Sequence, residues 1–144
     1  AAKTYTPMQA PKNAPEIAMN AYTFTRITLL SAALAACSAY ATRPTMVSEG
    51  MLTGGNGMTL YTFDRDAAGS GKSVCNGPCA TNWPPLMVKA GETPSGEDSI
   101  VTRDDGSKQW AYKGKPLYFW IKDQKPGDKT GDGFLNNAWH VAKP

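Results

Sequence analysis

A seven-residue pattern that occurs twice constrains the fold of this chain more than any other sequence feature. The pattern is Leu-Tyr-x-aromatic-x-x-Asp, which covers residues 60–66 and returns 57 residues later at 117–123. Alternate side chains of a β-strand share a face, so the tyrosine and the second aromatic residue of each copy lie together, and the aspartate falls near the strand end. The repetition predicts two related β units, at about 46–90 and 98–144.

Each copy of the pattern is followed by a tryptophan, and the two tryptophans are 56 residues apart. The rings supply the large apolar area that a domain of roughly a hundred residues needs for its core. Each aspartate is expected to accept hydrogen bonds from amides of the loop that follows it. The repeat positions that we expect to support the architecture are Tyr61, Phe63, Asp66 and Trp83, matched by Tyr118, Trp120, Asp123 and Trp139.

The composition favours a small antiparallel β domain over a helical bundle. The 144 residues include 14 Gly and 11 Pro, which indicates many turns. The sequence Asp-Asp-Gly-Ser at 104–107 predicts a hairpin turn. The expected fold class is all-β, with one domain over 46–144. Besides the two motif strands, the predicted strands are 46–53, 86–89, 99–103, 108–113 and 139–142.

The segment before this domain is predicted to be an export signal and a membrane tether. Residues 27–36 form the longest apolar stretch, about half the length of a membrane-spanning helix. The stretch follows Arg26 and ends at Leu-Ala-Ala-Cys37, which resembles the lipobox of bacterial lipoproteins. We therefore expect Cys37 to be acylated, with a disordered lead at 1–18, a signal peptide at 19–36 and a lipid-anchored tether at 37–45.

Two alternatives stay open for this segment. One is a short buried helix with a free cysteine, and the other is ordinary signal cleavage after Ala41. Acylation is preferred because the stretch lacks helical amphipathicity and is followed by a polar segment that contains Pro44. Several acyl chains on one cysteine hold a protein at a membrane surface, and Ser38 is typical of outer-membrane sorting.

Residues 46–144 resemble a known family. Besides the repeated motif, the resemblance rests on Cys75-Asn-Gly-Pro-Cys79, on the aromatic stretch at 109–118 and on Pro-Gly-Asp-Lys-Thr-Gly at 126–131. The chain is similar to the secreted bacterial lipoprotein repeat family defined by a Tyr-x-[Phe/Trp/Tyr]-x-x-Asp motif. This resemblance implies an exported, mostly β lipoprotein domain in the bacterial cell envelope. It implies no reaction, because that family has no established biochemical activity.

Cys75 and Cys79 are predicted to form a disulfide. Gly77 and Pro78 between them can bend the chain until the two sulfur atoms meet. A disulfide that closes so short a loop contributes on the order of 2 kcal/mol, which suits a structural role. A thiol-disulfide redox protein is a second alternative, although redox pairs normally have two residues between the cysteines and a helix amino terminus beside one thiol.

The stretch at 128–133 resembles the beginning of a calcium loop. Oxygen-bearing side chains alternate along it and Gly133 stands at the sixth position, but Trp139 occupies the twelfth position, where calcium requires a bidentate Glu. A turn held by aspartates is therefore preferred, with calcium as a weak alternative. The candidate ligands are Asp123, Asp128, Thr130 and Asp132.

His140 is the only histidine, so it cannot build a zinc site with other imidazoles. Its place beside Trp139 predicts that it faces away from the core. Imidazole and thioether groups suit haem iron and copper(I), so haem binding or copper-based electron transfer is an alternative function. The methionines that could join His140 are Met46, Met51, Met58 and Met87.

Exposed aromatic residues are the basis for a predicted ligand surface. Phe119 lies between Tyr118 and Trp120, so a strand must point it to the opposite face. An exposed group of aromatic side chains suits a glycan, an aromatic ligand or a partner protein. The residues assigned to this surface are Trp110, Tyr112, Phe119 and His140.

These features predict a non-enzymatic binding or interaction module. The formal net charge is only +3, without a run of basic residues, which argues against a nucleic-acid binder. No Ser-His-Asp set or phosphate-binding glycine loop is recognisable. We expect a monomeric outer-membrane lipoprotein, held to the membrane by its lipid anchor, that binds an unidentified envelope ligand or protein without a cofactor.

Overall fold

The computed structural model describes residues 43–144. The predicted lead, the signal peptide, Cys37 and residues 37–42 of the tether lie outside the described residues. Seven short strands and two helical turns occur in the described part. In chain order they are β1 (Thr45–Ser48), β2 (Met51–Gly54), β3 (Tyr61–Phe63), α1 (Pro78–Asn82), β4 (Asp98–Thr102), β5 (Lys108–Tyr112), β6 (Lys115–Pro116), α2 (Phe134–Asn137) and β7 (Trp139–Val141).

The strands form three small antiparallel sheets, which confirms the predicted all-β class. Strand β1 pairs with β2, β3 pairs with β7, and β4, β5 and β6 form a three-stranded sheet. In the β3–β7 pair, Tyr61 lies opposite Val141 and Phe63 lies opposite Trp139. The predicted turn at 104–107 connects β4 to β5, and within it Ser107 N donates to Asp105 Oδ1 at 3.0 Å.

The prediction of one strand over 46–53 is wrong, because these residues form the β1–β2 hairpin. Its two-residue turn, Glu49 and Gly50, has φ angles of 50° and 74°. Such a turn matches the twist of antiparallel strands and normally contains Asn, Asp or Gly. Glutamate is not a usual turn residue of this type, so the sequence pattern conceals the turn.

Two other predicted strands are reduced to isolated bridges. Met87 makes a single bridge to Gln109, and Tyr118 makes bridges to Tyr61 and Pro85. In the first of these segments, Leu86 N donates to Leu117 O and Val88 N donates to Lys108 O, so its amides bond to two different segments and no continuous ladder forms. The second motif copy is therefore extended without being a full strand.

The segment after the first tryptophan pairs with the second unit. Leu86 N donates to Leu117 O at 2.9 Å, and Trp110 N donates to Leu86 O at 2.8 Å. In addition, Phe119 N donates to Pro84 O at 2.8 Å. Residues 84–86 thus complete the backbone pairing of residues from 110 to 119.

The segment after the second tryptophan pairs with the first unit in a corresponding way. Strand β7 pairs with β3, and Ala142 N donates to Leu60 O at 2.8 Å. Leu52 N then donates to Ala142 O at 2.9 Å. The two units have therefore exchanged their last segments, so the backbone pairing of each unit depends on the other.

Aromatic side chains of both units share one hydrophobic core. A second cluster is aliphatic and contains Leu52, Leu60, Leu117 and Ala142. The exchanged segments account for this mixing, because each brings a tryptophan into the partner unit. The buried members of the aromatic cluster are Met51, Tyr61, Phe63, Cys75, Trp83, Tyr118, Trp120, Trp139 and Val141.

The turn α2 is unusual because three successive side-chain-bearing residues have left-handed backbone angles. Their φ values are 56° at Leu135, 53° at Asn136 and 64° at Asn137. Asparagine tolerates this region, whereas a leucine there costs roughly 1–2 kcal/mol. The preceding residue, Phe134, packs against Trp83 and Trp120 at centroid distances of 5.9 and 5.0 Å. The turn thus covers one side of the aromatic core.

None of the helices within residues 43–144 is both long enough and apolar enough to span a bilayer.

We predict that Gly131→Ala destabilises the protein by about 1–3 kcal/mol, because its methyl group would overpack the core. A Cβ at this position would lie 2.6 Å from Cη2 of Trp83 and 3.1 Å from Cδ1 of Trp120. Urea unfolding followed by tryptophan fluorescence measures the change. Gly55→Ala is the matched control, because its Cβ would meet nothing within 4 Å. Equal midpoints for both variants would show that the tryptophans do not confine Gly131.

Candidate functional site

Four aromatic rings form a continuous stack through the centre of the molecule. Trp83 and Trp139 lie face to face, with ring centroids 3.8 Å apart and planes inclined by 2°. Phe63 stacks on the outer side of Trp139 at 4.3 Å, and Trp120 stacks on the outer side of Trp83 at 4.1 Å. The second aromatic residue of each motif therefore packs on the tryptophan of the other unit.

The two motif tyrosines lie edge-on to this stack and bind the aspartates of the opposite units. Tyr61 Oη donates to Asp123 Oδ2 at 2.7 Å, and Tyr118 Oη donates to Asp66 Oδ2 at 2.5 Å. The tyrosine backbones also pair, with N–O distances of 2.8 and 3.0 Å. Corresponding residues thus make corresponding contacts across an approximate two-fold axis. The sequence pattern did not reveal this crossing.

The aspartates also accept hydrogen bonds from the following loops, as predicted. Val74 N donates to Asp66 Oδ1 at 2.7 Å. Thr130 donates to Asp123 Oδ1 from both its amide, at 3.0 Å, and its hydroxyl, at 2.6 Å. Each carboxylate therefore connects its own loop to the tyrosine of the other unit.

A buried arginine supports only one of the two carboxylates. Arg103 Nη1 donates to Ser73 Oγ at 3.0 Å and to Gln109 Oε1 at 2.7 Å. Ser73 Oγ lies 2.7 Å from the hydroxyl of Tyr118, which bonds to Asp66. A polar chain thus runs from the guanidinium to the carboxylate. Arg103 lies outside the repeated motif, so repetition gave no signal for its role.

The environment of these groups changes their pKa values. Burial, with the hydrogen bonds to Asp123 and Asp66, raises the pKa of Tyr61 and of Tyr118 above the ordinary value. The two hydroxyls therefore remain protonated donors at neutral pH. Burial also raises the pKa of Asp66, while the bonds from Tyr118 and Val74 and the charge of Arg103 oppose that rise.

Cys75 and Cys79 are joined by a disulfide. Cys75 is fully buried in the aromatic core, and Cys79 is half-buried in the first turn of α1. The sequence predicts no helix beside the cysteines, and the helix that the structure places there, α1, has five residues. Arg103 Nη2 donates to Cys75 O at 2.6 Å, and Trp83 N donates to Cys79 O at 2.8 Å. The bridge thus holds the loop that precedes Trp83.

The candidate calcium ligands bind backbone amides instead of converging on one point. Asp128 Oδ2 accepts from Gln124 N at 2.9 Å, and Asp132 Oδ1 accepts from Val141 N at 3.0 Å. Thr130 is bonded to Asp123. Within residues 43–144, no group of three or more His, Cys, Asp or Glu side chains is placed to hold a metal ion. The loop has the aspartate-held turn that the sequence favours.

His140 lies on the outer face of β7, as its alternation with Trp139 predicts. Its Nε2 is 2.9 Å from Asp64 Oδ2. Its cross-strand neighbour is Thr62. Of the methionines considered as its partners, Met51 is buried in the core. The local partner of the imidazole is therefore a carboxylate.

The predicted ligand surface does not form one patch. Trp110 is only 1% exposed, because residues 86–92 cover it, and its Nε1 donates to Glu92 Oε2 at 3.1 Å. Tyr112 donates to Glu97 at 2.7 Å on another part of the surface. Phe119 is half-buried, whereas its two neighbours are fully buried, as alternation predicts. Phe119 is therefore the member of the set that opens on the groove described next.

A shallow groove of about 450 Å³ lies beside Phe119. We call it the Phe119 groove, and it is lined by Gly55, Asn56, Pro85, Leu86, Met87, Lys89 and Phe119. Four of these residues also line a smaller cavity of about 160 Å³ that extends to Arg43, Glu92 and Trp110. The floor is mainly apolar, and the charged groups lie toward the smaller cavity.

One protein family matches both halves of the described domain. It is described as a secreted repeat of unknown function, and it matches residues 47–87 and 99–143. The chain belongs to this family. Each matched range contains one copy of the motif and the tryptophan that follows it. The predicted membership of a secreted repeat family is confirmed. No curated protein and no solved structure matches the chain.

We predict that Tyr118→Phe and Tyr61→Phe each lower the free energy of unfolding by about 1–3 kcal/mol. Each change leaves a buried carboxylate without one of its donors. Urea denaturation at neutral pH measures the loss. Tyr112→Phe is the control, because it removes an equivalent hydroxyl bond at the surface and should change stability by less than about 0.5 kcal/mol. If all three variants matched the unmodified protein, the crossed bonds would have no stabilising role.

We predict that the free energy of unfolding of the unmodified protein falls, relative to that of Asp66→Asn, as the pH rises through the titration window of Asp66. Because the folded-state pKa is raised above the ordinary value of 3.8, the folded protein keeps a proton that the unfolded chain has already lost. Folding therefore takes up protons in that window. The stabilisation that protonated Asp66 contributes at lower pH is lost at higher pH. Urea midpoints of both proteins from pH 3 to pH 7 measure the difference. A difference that grew in favour of the unmodified protein with pH would contradict a raised pKa.

Proposed function

We propose that this secreted repeat protein is a non-catalytic binding module of the cell envelope that holds its ligand in the Phe119 groove. The proposed ligand has a flat apolar face and polar edges, as an aromatic ring or a sugar ring has. The supporting observation is that the repeat directs Phe119 away from the aromatic core that takes in both of its neighbours, so that its ring packs half-buried on the aliphatic cluster and lines the groove. An aromatic side chain in a groove is a common means of holding such ligands.

The groove is supported by rigid neighbours. A Cβ on Gly54 would lie 2.8 Å from Cζ of Phe119, so the ring packs directly on the backbone of β2. The backbone of Phe119 is fixed by its hydrogen bond to Pro84. A side chain that is already oriented loses little conformational entropy on binding.

The residues around the ring suit an amphipathic ligand. Met87 is 43% exposed and adds a flexible apolar surface to the floor. Lys89 lines both cavities, and Arg43 borders the smaller one. Glu92 is occupied by the indole of Trp110 and by the amide of Lys89, at 3.1 and 2.8 Å. Charges of both signs therefore stand at this end of the groove, which suits a ligand with polar edges.

The proposed location is the outer membrane, where acylated Cys37 would anchor the domain through residues 37–45. This proposal rests on the lipobox-like sequence and agrees with the secreted character of the family. A monomer tethered in this way needs no cofactor to act as a receptor or adaptor for an envelope ligand. Mass spectrometry of the protein from its native membrane should show the mass of an acylated Cys37.

Amide NMR spectroscopy with two probes tests the groove. Chitotriose represents a glycan, and indole-3-acetate represents an aromatic anion. We expect at least one probe to shift the amide signals of Gly55, Leu86, Met87 and Phe119, and Phe119→Ala to weaken its binding by about tenfold. Phe134→Ala is the control, because Phe134 is a phenylalanine outside the groove that is 45% accessible and so is available to any non-specific contact with aromatic residues.

The two variants separate groove binding from general adhesion to aromatic residues. Binding that is lost in Phe119→Ala and kept in Phe134→Ala supports the proposal. Equal losses in both variants, or no shifts in the groove with either probe at about 10 mM, contradict it. Amide spectra of both variants without probe confirm that the fold is intact.

A further inference from the structure

A second pocket, separate from the Phe119 groove, lies between β7 and the turn that joins β5 to β6. Its volume is about 240 Å³. The buried residues Leu117 and Ala142 line it, together with Lys113, Lys115 and Lys143. Three lysines from two distant parts of the chain therefore border one small cavity.

This concentration of lysines does not follow from the overall charge. Residues 43–144 contain 12 basic and 11 acidic side chains, so their net charge is only +1. No aspartate or glutamate of that range lines the pocket. The pocket is thus a local region of positive potential on a nearly neutral domain.

One carboxylate lies beside the pocket without closing it. Glu97 Oε2 is 3.7 Å from Lys113 Nζ, and both side chains are exposed, so solvent weakens their attraction. Glu97 also accepts the hydroxyl of Tyr112. Within residues 43–144, Lys115 and Lys143 take part in no salt bridge. Two of the three charges therefore have no counter-charge from the described part of the chain.

The turn that presents Lys113 and Lys115 is held in place by another loop. Its residues Lys113 and Gly114 have φ angles of 48° and 77°. Gly69 N donates to Gly114 O at 2.9 Å, and a Cβ on Gly114 would lie 2.7 Å from that same nitrogen. Close packing at Gly114 thus fixes the turn and keeps the two lysines on either side of it near the pocket.

We infer that this pocket binds a phosphate-bearing anion, which is either the headgroup of an anionic lipid or a soluble phosphate ester. A phosphate monoester carries close to two negative charges at neutral pH, the phosphodiester of a phosphatidylglycerol headgroup carries one, and both offer acceptor oxygens. Lysine binds phosphate as a point charge, and Thr62 at the pocket edge brings a hydroxyl that can donate to a phosphate oxygen. The cavity has room for one phosphate group and part of its ester.

Two titrations test the site on the full chain carrying Cys37→Ser, because the proposed acyl anchor would otherwise hold every variant to the vesicles. In the first, inorganic phosphate is added at constant ionic strength, and amide signals are followed by NMR. In the second, binding to vesicles of phosphatidylglycerol mixed with phosphatidylcholine is measured by co-sedimentation. The test variant is Lys115→Gln combined with Lys143→Gln. The control, Lys72→Gln combined with Lys122→Gln, lowers the net charge by the same amount at exposed lysines outside the pocket.

We expect phosphate to shift the amide signals of Lys113, Lys115 and Lys143, and the test variant to bind it about tenfold more weakly than the control. Vesicle binding that falls in the test variant and persists in the control identifies a lipid headgroup as the source. Phosphate binding without vesicle binding identifies a soluble ester. The inference is overturned if phosphate produces no shifts at the pocket, or if the test and control variants lose binding equally.

Discussion

Trp83 and Trp139 stack face to face at the centre of the molecule, and the remaining structure is organised around that contact. Each tryptophan belongs to one repeat unit but packs on the second motif aromatic residue of the other, Trp120 or Phe63. The segments that follow the tryptophans therefore have to cross between the units. Because a small domain has few other large apolar side chains to bury, this shared stack makes the two units one cooperative core.

The crossed tyrosine–aspartate bonds explain why the motif contains both residues. Tyr61 reaches Asp123, and each aspartate also orients its own loop. A carboxylate buried without donors would destabilise the fold, whereas one with a hydroxyl and an amide donor is compensated. The two copies are not equivalent, because only Asp66 is connected through Tyr118 and Ser73 to the buried Arg103.

Strand alternation and turn chemistry were sufficient to predict the all-β class, the loop-holding aspartates and the position of Phe119 on the opposite face from Tyr118 and Trp120. They could not predict the partner of each motif residue. Tyr61 could bond to Asp66 or to Asp123 with the same local pattern, and only the tertiary crossing decides. The burial of Trp110 also depends on tertiary structure and not on local pattern, because the residues that pack over it lie at 86–92. The lysine pocket is not predictable from local sequence, because Lys115 and Lys143 are distant in the chain and only the fold brings them together.

Native-state hydrogen exchange across a series of urea concentrations tests the central claim of one interlocked core most directly. The amides of Tyr61 and Tyr118, which bond to each other's carbonyl groups, are the reporters. If the exchanged segments make the two units a single cooperative structure, both amides should exchange only through global unfolding, with the same opening free energy and the same urea dependence. Exchange of one amide through a smaller, separate opening while the other stayed protected would show that the units unfold independently and would contradict the account.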